Sequence, residues 1–447
     1  MKIAFVSLGC DKNLADTELM LEILRGKGYE FTDDAQEADA AVVNTCCFIG
    51  DAKEESINTV LELAALRREG RLKALVAAGC LAQRYGKEIR EEIPEVDGLV
   101  GTAAIEDILE AVETALSGEK RDFFRDLDSP PAVRRERVLT TGGHFAYLKI
   151  AEGCNKCCTY CVIPAVRGNY RSIPMEELTA QAEKLAEEGV RELILVAQET
   201  TLYGVDLYGE KSLPLLLRRL ARISGLYWIR ILYCYPEEIT EELISVMAEE
   251  PKICHYLDIP IQHSSDTVLK RMGRRTDQAQ LRRMIGLLRE RIPDICLRTT
   301  LISGFPGETQ EDFEDLYRFV NEMEFDRLGV FPYSQEEDTA AALMPDQIPD
   351  EVKEFRRDEL MELQQAIAFE KAQEMAGQVL TVMIEGKVAD DDVYVGRTYR
   401  DAPGVDGYLF VNTSADLMTG DFVRAIVTDS NEYDLIGEIY YEEDELT

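Results

Sequence analysis

The stretch Cys154–Cys161 constrains the fold more than any other part of the chain, because it places three cysteines on one short loop. Cys154, Cys158 and Cys161 have the spacing CxxxCxxC, and they follow the apolar run Ala146–Ile150. A loop of this length can direct three thiolates at one centre, and thiolates are typical ligands of zinc and of iron–sulfur clusters. Three protein ligands leave one metal position open for chemistry.

Other uses of these thiols fit the pattern less well. A structural zinc site takes four ligands, and the spare thiol, Cys157, is adjacent to Cys158, so the two side chains of an extended loop point apart. The ferredoxin pattern fails, because no cysteine follows Cys161 at the required distance. Disulfides are disfavoured, because Met1–Val6 does not resemble a signal peptide and we expect a cytoplasmic chain. We therefore interpret the loop as an open iron–sulfur site.

The charge of the chain restricts its partners. The formal net charge is −36 over 447 residues, a field that repels nucleic acid and attracts basic proteins. The length predicts two to four domains. No run of about 18 apolar residues is present, so we expect no transmembrane helix and no membrane partner.

Residues 1–118 alternate strand-like and helix-like segments, which predicts a doubly wound parallel sheet. Within this region Cys10, Cys46 and Cys80 each follow the end of a predicted strand. The carboxyl ends of parallel strands share one edge of a sheet, where ligands bind. We therefore predict a second site with three thiols. Cys47, which neighbours Cys46, is interpreted as a packing residue or a spectator thiol.

The remainder of the chain divides into three parts. Residues 119–142 lack periodicity and are predicted to be a linker. Residues 143–370 repeat six strand–helix units, which indicates a partial (β/α)6 barrel, similar to a TIM barrel, with its site at the carboxyl ends of the strands. Residues 371–447 alternate short strands and turns, typical of a small antiparallel β-barrel. Residues 377–447 carry 16 acidic and 4 basic side chains, which argues against binding to nucleic acid.

Together these parts resemble the methylthiotransferases, a family with an N-terminal cluster domain, a radical S-adenosylmethionine (SAM) barrel and a C-terminal TRAM domain. The resemblance covers nearly the whole chain, and its motifs are Ser7–Cys10, Asn44–Cys46, Gly79–Cys80 and Glu152–Pro164. Within the family, the chain is most similar to the enzymes that methylthiolate an aspartate of the twelfth small-subunit ribosomal protein. That similarity lies in Ala151–Cys154, Tyr233–Pro236, Asp258–His263 and Asp401–Gly407.

The resemblance implies a radical SAM transferase whose cofactors are two 4Fe-4S clusters and SAM. Cys154, Cys158 and Cys161 would hold the catalytic cluster that cleaves SAM. Attack on an unactivated C–H bond of the aspartate β-carbon needs such a cofactor, since no side-chain base removes this hydrogen readily. The auxiliary cluster would carry the sulfur that a first SAM methylates, so that each product consumes two SAM. Its ligands would be Cys10, Cys46 and Cys80.

The same resemblance implies further contacts and partners. The predicted SAM contacts lie on two loops at the strand ends and are Gln198, Glu199, Thr200, Gly304, Gly307 and Glu308. The partners would be the basic ribosomal protein and an external electron donor such as flavodoxin or ferredoxin, and the sulfur donor is left open. The alternative is a tRNA-adenosine methylthiotransferase of the same family, which the acidic C-terminal region disfavours. Cys47, Asp11 and Cys157 depart from the usual family pattern, but none of them replaces a predicted ligand.

Overall fold

Two six-stranded sheets and a five-stranded closed barrel follow one another along the chain in the computed structural model. The structure describes residues 1–389 and 391–441. Residue 390 and the last six residues of the predicted domain 371–447 lie outside the described part. Two of the sheets are parallel, and the third is a small closed barrel. The predicted fold class is therefore confirmed.

The N-terminal sheet contains six parallel strands with helices on both faces. Its strands are β1 (Lys2–Ser7), β2 (Glu30–Thr32), β3 (Ala40–Thr45), β4 (Ala74–Gly79), β5 (Gly98–Val100) and β6 (Arg121–Phe123). Its helices are α1 (Asp11–Gly26), α2 (Gly50–Arg68), α3 (Cys80–Glu92) and α4 (Ile108–Leu116). The strand order is β2-β1-β3-β4-β5-β6. From β1, the next strand in the chain lies on one side and all later strands lie on the other, so the strand order reverses between β1 and β3. In open parallel sheets such a reversal forms a crevice at the carboxyl ends of the strands, where ligands bind.

The segment predicted to be a linker is partly built into this first unit. Strand β6 lies inside it and pairs with β5. Arg137 then forms a buried ion pair of 3.4 Å with Glu18 of α1, and the backbone N–H of Thr140 donates to the same carboxylate at 2.9 Å. The absence of periodicity predicted an irregular path, but it could not reveal that this path lies along α1.

The central sheet contains six parallel strands and remains open. Its strands are β7 (Phe145–Lys149), β10 (Glu192–Val196), β11 (Trp228–Ile231), β12 (Ile253–Asp258), β13 (Cys296–Ser303) and β14 (Arg327–Pro332). Two short strands, β8 (Ala151–Glu152) and β9 (Arg171–Ser172), form a separate antiparallel pair. Its helices are α5 (Ile163–Arg167), α6 (Met175–Glu187), α7 (Val205–Tyr208), α8 (Leu213–Ala221), α9 (Glu241–Glu249), α10 (Asp266–Arg271), α11 (Gln278–Arg291) and α12 (Gln310–Met323). The order β7-β10-β11-β12-β13-β14 makes β7 and β14 the two edges of a half-barrel.

The last barrel follows the long helix α13 and packs against the strands of the half-barrel. The elements are α13 (Asp350–Glu374), β15 (Val379–Lys387), β16 (Val393–Arg397), β17 (Leu409–Asn412), β18 (Phe422–Asn431) and β19 (Asp434–Ile439). Along β10, alternate residues Leu193 and Leu195 pack against the helices, whereas Ile194 and Val196 pack in the same cluster as Met383 of the small barrel. Because successive side chains of a strand point to opposite faces, β10 contacts the helices with one face and the small barrel with the other.

One pairing of the small barrel differs from the predicted antiparallel pattern. Strands β17 and β19 are parallel, whereas the other four pairings are antiparallel. The reason is topological: β19 turns back along β18 and closes the barrel beside β17, which already runs in the same direction. Propensity and turn signals identify strands but do not decide which of them meet when a barrel closes.

Buried ion pairs fasten the small barrel to the half-barrel. Glu192, at the start of β10, lies 2.8 Å from Arg230 of β11 and 2.8 Å from Arg397 of β16. All three side chains are fully buried. In the part of the chain that the structure describes, no helix is long and apolar enough to cross a membrane.

Candidate active site

The three N-terminal cysteines predicted to act together follow three neighbouring strands. Cys10 is the residue before α1, Cys46 follows β3, and Cys80 is the first residue of α3. The parallel register pairs Ser7 with Asn44 and Thr45 with Gly79, so the three strands end at the same edge. Two of the three thiols therefore lie at helix N-termini, which favour negative charge.

Close backbone approaches bring these loops together. Gly9 has a φ of 88°, and a Cβ at this position would lie 2.7 Å from the Cβ of Cys46. The amide of Asn13 donates to the carbonyl oxygens of Leu8 and Thr45, each at 3.0 Å. The thiol of Cys80 lies 3.8 Å from the Oδ1 atom of the same Asn13. The loop glycine and the asparagine thus hold the three cysteine loops against one another.

The thiols of this auxiliary site differ in exposure. Cys46 and Cys80 are buried, whereas Cys10 is exposed. Burial raises the pKa of Cys46 above its usual value and raises the pKa of Cys80 to about 12. Such thiols keep their protons until a metal replaces them, and iron–sulfur clusters use thiolate ligands of this kind. Cys47 packs in the hydrophobic core beside β3, as the interpretation of a packing residue predicts.

The second site lies on the loop after β8. Cys154 and Cys158 are buried and Cys161 is partly buried. The loop is folded back on itself, because the N–H of Cys161 donates to the carbonyl of Cys158 at 3.0 Å. Burial raises the pKa of Cys154 to about 11 and that of Cys161 to about 12. Cys157 has a φ of 54° and is exposed, so this turn directs it away from its three neighbours.

Aromatic and cationic side chains surround this loop. The hydroxyl of Tyr235 lies 3.4 Å from the Sγ atom of Cys158, and the guanidinium of Arg274 lies 4.2 Å from the centre of the Tyr235 ring. Arg274 is 7% exposed, yet its Nε and Nη1 atoms have no hydrogen-bond partner among the described residues. A buried cation with free donors is suited to an anionic group of a bound molecule.

The three predicted SAM contacts after β10 take different roles in the structure. Gln198 accepts a hydrogen bond from the Gly153 N–H at 2.9 Å and supports the base of the cysteine loop. Thr200 donates to the carbonyl of Leu232 at 2.5 Å and is buried. Glu199 is fully buried, and its Oε2 atom lacks a hydrogen-bond partner among the described side chains. Of the three, Glu199 is the one with an acceptor available for a ligand.

The second predicted loop is packed by the protein itself. A Cβ on Gly304 would meet the side chain of Lys353, and a Cβ on Gly307 would meet Arg271. Glu308 is buried and forms an ion pair of 2.8 Å with Arg356 of α13. The structure accounts for both glycines by contacts within the chain, and a role for this loop in binding SAM stays a prediction.

The number and kind of donors bear on which metal group suits these loops. Among residues 1–389 and 391–441, no group of three His, Cys, Asp or Glu side chains lies close enough to hold a single metal ion. Each predicted set offers three thiols, one fewer than the four ligands of a structural zinc site. An all-thiol donor set that leaves one metal position open suits an iron–sulfur cluster.

A buried charge network joins the two sites. Arg167 of α5 lies 2.7 Å from Asp16 of α1 and 3.1 Å from Glu152 of β8, and it also donates to Asn13. Lys149 contacts the same two carboxylates. Although burial opposes ionisation, the charges of Arg167 and Lys149 lower the pKa of Glu152 to about 2. This network connects the asparagine that supports Cys80 to the strand that precedes Cys154.

Sequence reasoning missed Arg274, Arg167 and Asn13. Arg167 follows the cysteine loop by six positions, and Asn13 follows Cys10 by three. Their proximity to the predicted ligands is a local signal that could have identified them. No local signal identifies Arg274, because it reaches the site only through the path of α10.

The comparisons with protein families match the three sheets in order. Residues 2–101 match an uncharacterized protein family, UPF0004, residues 148–320 match the radical SAM superfamily, and residues 376–439 match the TRAM domain.

Curated relatives match almost the whole chain. A protein of Lachnoclostridium phytofermentans, named ribosomal protein uS12 methylthiotransferase RimO, is 61% identical over 98% of this chain and 99% of its own length. Proteins of the same name from Pelotomaculum thermopropionicum and Clostridioides difficile are 51% and 48% identical and cover 98% and 99% of this chain, in each case over 99% of their own length.

Solved structures share the fold at low identity. The radical SAM methyltransferase TsrM of Kitasatospora setae gives a TM-score of 0.53 at 15% identity, over 74% of this chain and 72% of TsrM. The cobalamin-dependent SAM radical enzyme OxsB gives 0.51 at 13% identity, over 81% of this chain and 56% of OxsB. At such identities the likeness concerns the fold alone.

Proposed function

The chain belongs to the ribosomal protein uS12 methylthiotransferases, a radical SAM family, and from that premise we propose how its two cysteine sites divide the reaction. The enzyme transfers a methylthio group to uS12. We propose that the acceptor is the β-carbon of an aspartate and that each product consumes two SAM. Cys154, Cys158 and Cys161 would hold the catalytic 4Fe-4S cluster, and Cys10, Cys46 and Cys80 the auxiliary one.

The observation that carries this division is the presence of two separate sets of three thiols joined by one buried charge network. When bound, the clusters and SAM supply hydrogen abstraction, sulfur and the methyl group, which side chains cannot supply. The protein's own contribution is positional. Arg167 contacts Asp16 on one side and Glu152 on the other, so it fixes the auxiliary cysteine loops relative to the catalytic loop.

Two side chains with atoms that lack a hydrogen-bond partner among the described residues support SAM binding at the catalytic loop. Arg274 has free guanidinium donors beside Tyr235, which itself contacts Cys158. Glu199 has a free carboxylate oxygen, 3.9 Å from the Lys156 ammonium. SAM carries both a carboxylate and an amino group. We propose that Arg274 pairs with the carboxylate and that Glu199 accepts from the amino group.

The charge of the chain supports a basic protein as substrate. The net charge of −36 attracts a basic ribosomal protein and repels tRNA. The relatives described above are named for uS12 and not for tRNA. We propose that an external donor such as flavodoxin or ferredoxin supplies electrons, and that the reaction takes place in the cytoplasm, where ribosomal proteins are found.

Iron analysis after anaerobic reconstitution tests the division of ligands. We expect about eight irons per chain in the wild type, from two four-iron clusters. Replacing either set of three cysteines by alanine should leave about four irons. A wild-type content of about four irons, or zinc in both sites, would contradict the proposal.

A further inference from the structure

Lys12 is a buried cation next to the auxiliary site. It lies on the first turn of α1, two residues after Cys10, and is 8% exposed. Its Nζ atom lies 3.2 Å from the centre of the Tyr233 ring, just after β11. Tyr233 has a φ of 61°, which is uncommon for a bulky residue and indicates a position fixed by its surroundings. Lys12 therefore lies where the N-terminal sheet meets the inside of the half-barrel.

The ammonium of Lys12 is held in place but not fully used. Asp11 lies 3.0 Å away and also accepts the Tyr233 hydroxyl at 3.1 Å. An ammonium group has three N–H donors. One N–H of Lys12 faces the carboxylate of Asp11 and a second faces the ring of Tyr233, which leaves the third N–H for another acceptor.

Other buried cations near the two sites are committed to more carboxylates. Arg167 and Lys149 each contact both Asp16 and Glu152. Lys156, on the catalytic loop, faces two glutamates of the turn after β11, Glu237 and Glu238, and a third, Glu199. Among the described residues, the one carboxylate within ion-pair distance of Lys12 is that of the adjacent Asp11, and the charge of Lys12 also acts on the more distant Asp258. Lys12 therefore has fewer direct carboxylate partners than Arg167, Lys149 or Lys156 and retains capacity for a further anion.

The chemistry of the acceptor favours a cation at this place. The substrate carboxylate is bonded directly to the β-carbon that receives the methylthio group. When that carbon lies beside the auxiliary site, its carboxylate also enters a partly buried region. A carboxylate that leaves water needs a cation or several hydrogen bonds to compensate its lost solvation.

We propose that Lys12 binds the side-chain carboxylate of the substrate aspartate and so selects an acidic acceptor. Asp11 and Tyr233 position the ammonium, and the remaining donor pairs with the substrate. The inference rests on the proposed function, since it assumes an aspartate of uS12 as the acceptor. It adds a residue that recognises the substrate to the six cysteines that would hold the clusters.

A double-mutant cycle between enzyme and substrate tests this pair. The values of kcat/KM for methylthiolation are measured for wild type and Lys12→Met, each with uS12 carrying aspartate or asparagine at the target. The wild type should prefer aspartate by roughly 10- to 100-fold, the range of a charge-assisted hydrogen bond. In Lys12→Met the preference should fall to within about twofold, and Lys12→Arg should restore most of it. A wild-type preference retained in Lys12→Met would overturn the proposal.

Control variants separate recognition from loss of structure. Lys27→Met removes an exposed charge at the other end of α1 and should keep the full preference. Lys12→Met should keep the iron content of the wild type. If it loses iron, Lys12→Gln provides the same comparison.

The remaining outcomes distinguish this inference from the proposed function. If the asparagine substrate gives no product with any enzyme, the cycle is measured as the Kd of the two uS12 forms, with the same expectation and the same contradicting result. If the wild type does not modify uS12 at all, the proposed function fails. If it does, and Lys12→Met keeps the preference, only the role of Lys12 fails.

Discussion

The two cysteine sites use the same number of thiols but assemble them in different ways. The catalytic set lies within the eight residues of Cys154–Cys161, on one loop. The auxiliary set comes from the ends of β1, β3 and β4, so its geometry depends on the register of a whole sheet. A local site can be recognised from its sequence spacing, whereas a tertiary site depends on the topology of the sheet and on the residues that hold the loops together.

The difference extends to the supporting side chains. At the auxiliary site a single residue, Asn13, bonds the loops of Cys10 and Cys46 and contacts Cys80. At the catalytic loop the support comes from distant elements, including the backbone of Met272, which accepts from the Thr159 N–H at 2.9 Å. The auxiliary cysteines, which are far apart in sequence, are therefore held together by one residue close to Cys10. The catalytic cysteines, which are close in sequence, are held by residues from distant elements.

The largest expected effect separates the two sites by activity. Replacing Cys154, Cys158 and Cys161 by alanine should reduce SAM cleavage to background and stop product formation. Replacing Cys10, Cys46 and Cys80 should leave SAM cleavage intact and stop methylthiolation, because only the sulfur-bearing site is lost. The measurement is the yield of 5′-deoxyadenosine and of methylthiolated uS12. Product from the second variant would show that the auxiliary assignment is wrong.

The next largest effect is expected on stability, from breaking the buried charge network that joins the two sites. Arg167→Met leaves Asp16 and Glu152 buried with Lys149 as their shared cation. Breaking a buried ion pair typically costs about 3–5 kcal/mol, so the free energy of unfolding should fall by that order. Denaturant unfolding measures it. The matched control is Arg135→Met. The Arg135 side chain is 63% exposed, so its replacement should change the free energy of unfolding by less than about 0.5 kcal/mol. Equal effects of both variants would contradict the role of the network.

A smaller effect follows from the carboxyl group of Glu199. Burial raises its pKa to about 7. Below that pH the group is protonated and neutral, and it no longer accepts from the SAM amino group as an anion. The Kd for SAM should therefore be about tenfold larger at pH 6 than at pH 8.

Two variants check this pH dependence. Glu199→Gln should bind SAM more weakly and with little change between the two pH values. Glu183→Gln, an exposed glutamate on α6, should keep the wild-type profile. An unchanged pH dependence in Glu199→Gln would assign the titration to another group.

The smallest effect is expected at Cys157. Its thiol is exposed and turned away from the catalytic set. Cys157→Ser should retain the iron content and activity of the wild type and change the free energy of unfolding by less than about 0.5 kcal/mol. A loss of about four irons would identify Cys157 as a ligand and exclude one of its neighbours.

The same contrast explains what could be predicted from the sequence. The loop Cys154–Cys161 was identifiable from its spacing, and the strand-end positions of Cys10, Cys46 and Cys80 followed from the βα alternation. Contacts between distant segments were not. Nothing in the local sequence around Gly304 indicates that it approaches Lys353 of α13.

The packing of the C-terminal barrel could not be predicted from the sequence either. Its strands were predicted, but its position against the half-barrel depends on contacts such as that of Glu192 with Arg397, residues that are 205 positions apart in the chain. Side-chain pairs of this kind are decided by the assembled fold and not by local propensity.

The most direct test offers both candidate substrates to the same enzyme. Reconstituted protein is incubated with SAM, sulfide and a reductant in the presence of uS12 and tRNA, and both are then analysed by mass spectrometry. We expect a methylthio mass gain on the aspartate-containing peptide of uS12 and none on the tRNA. A gain on tRNA alone would contradict the assignment of the two sites to methylthiolation of a ribosomal protein.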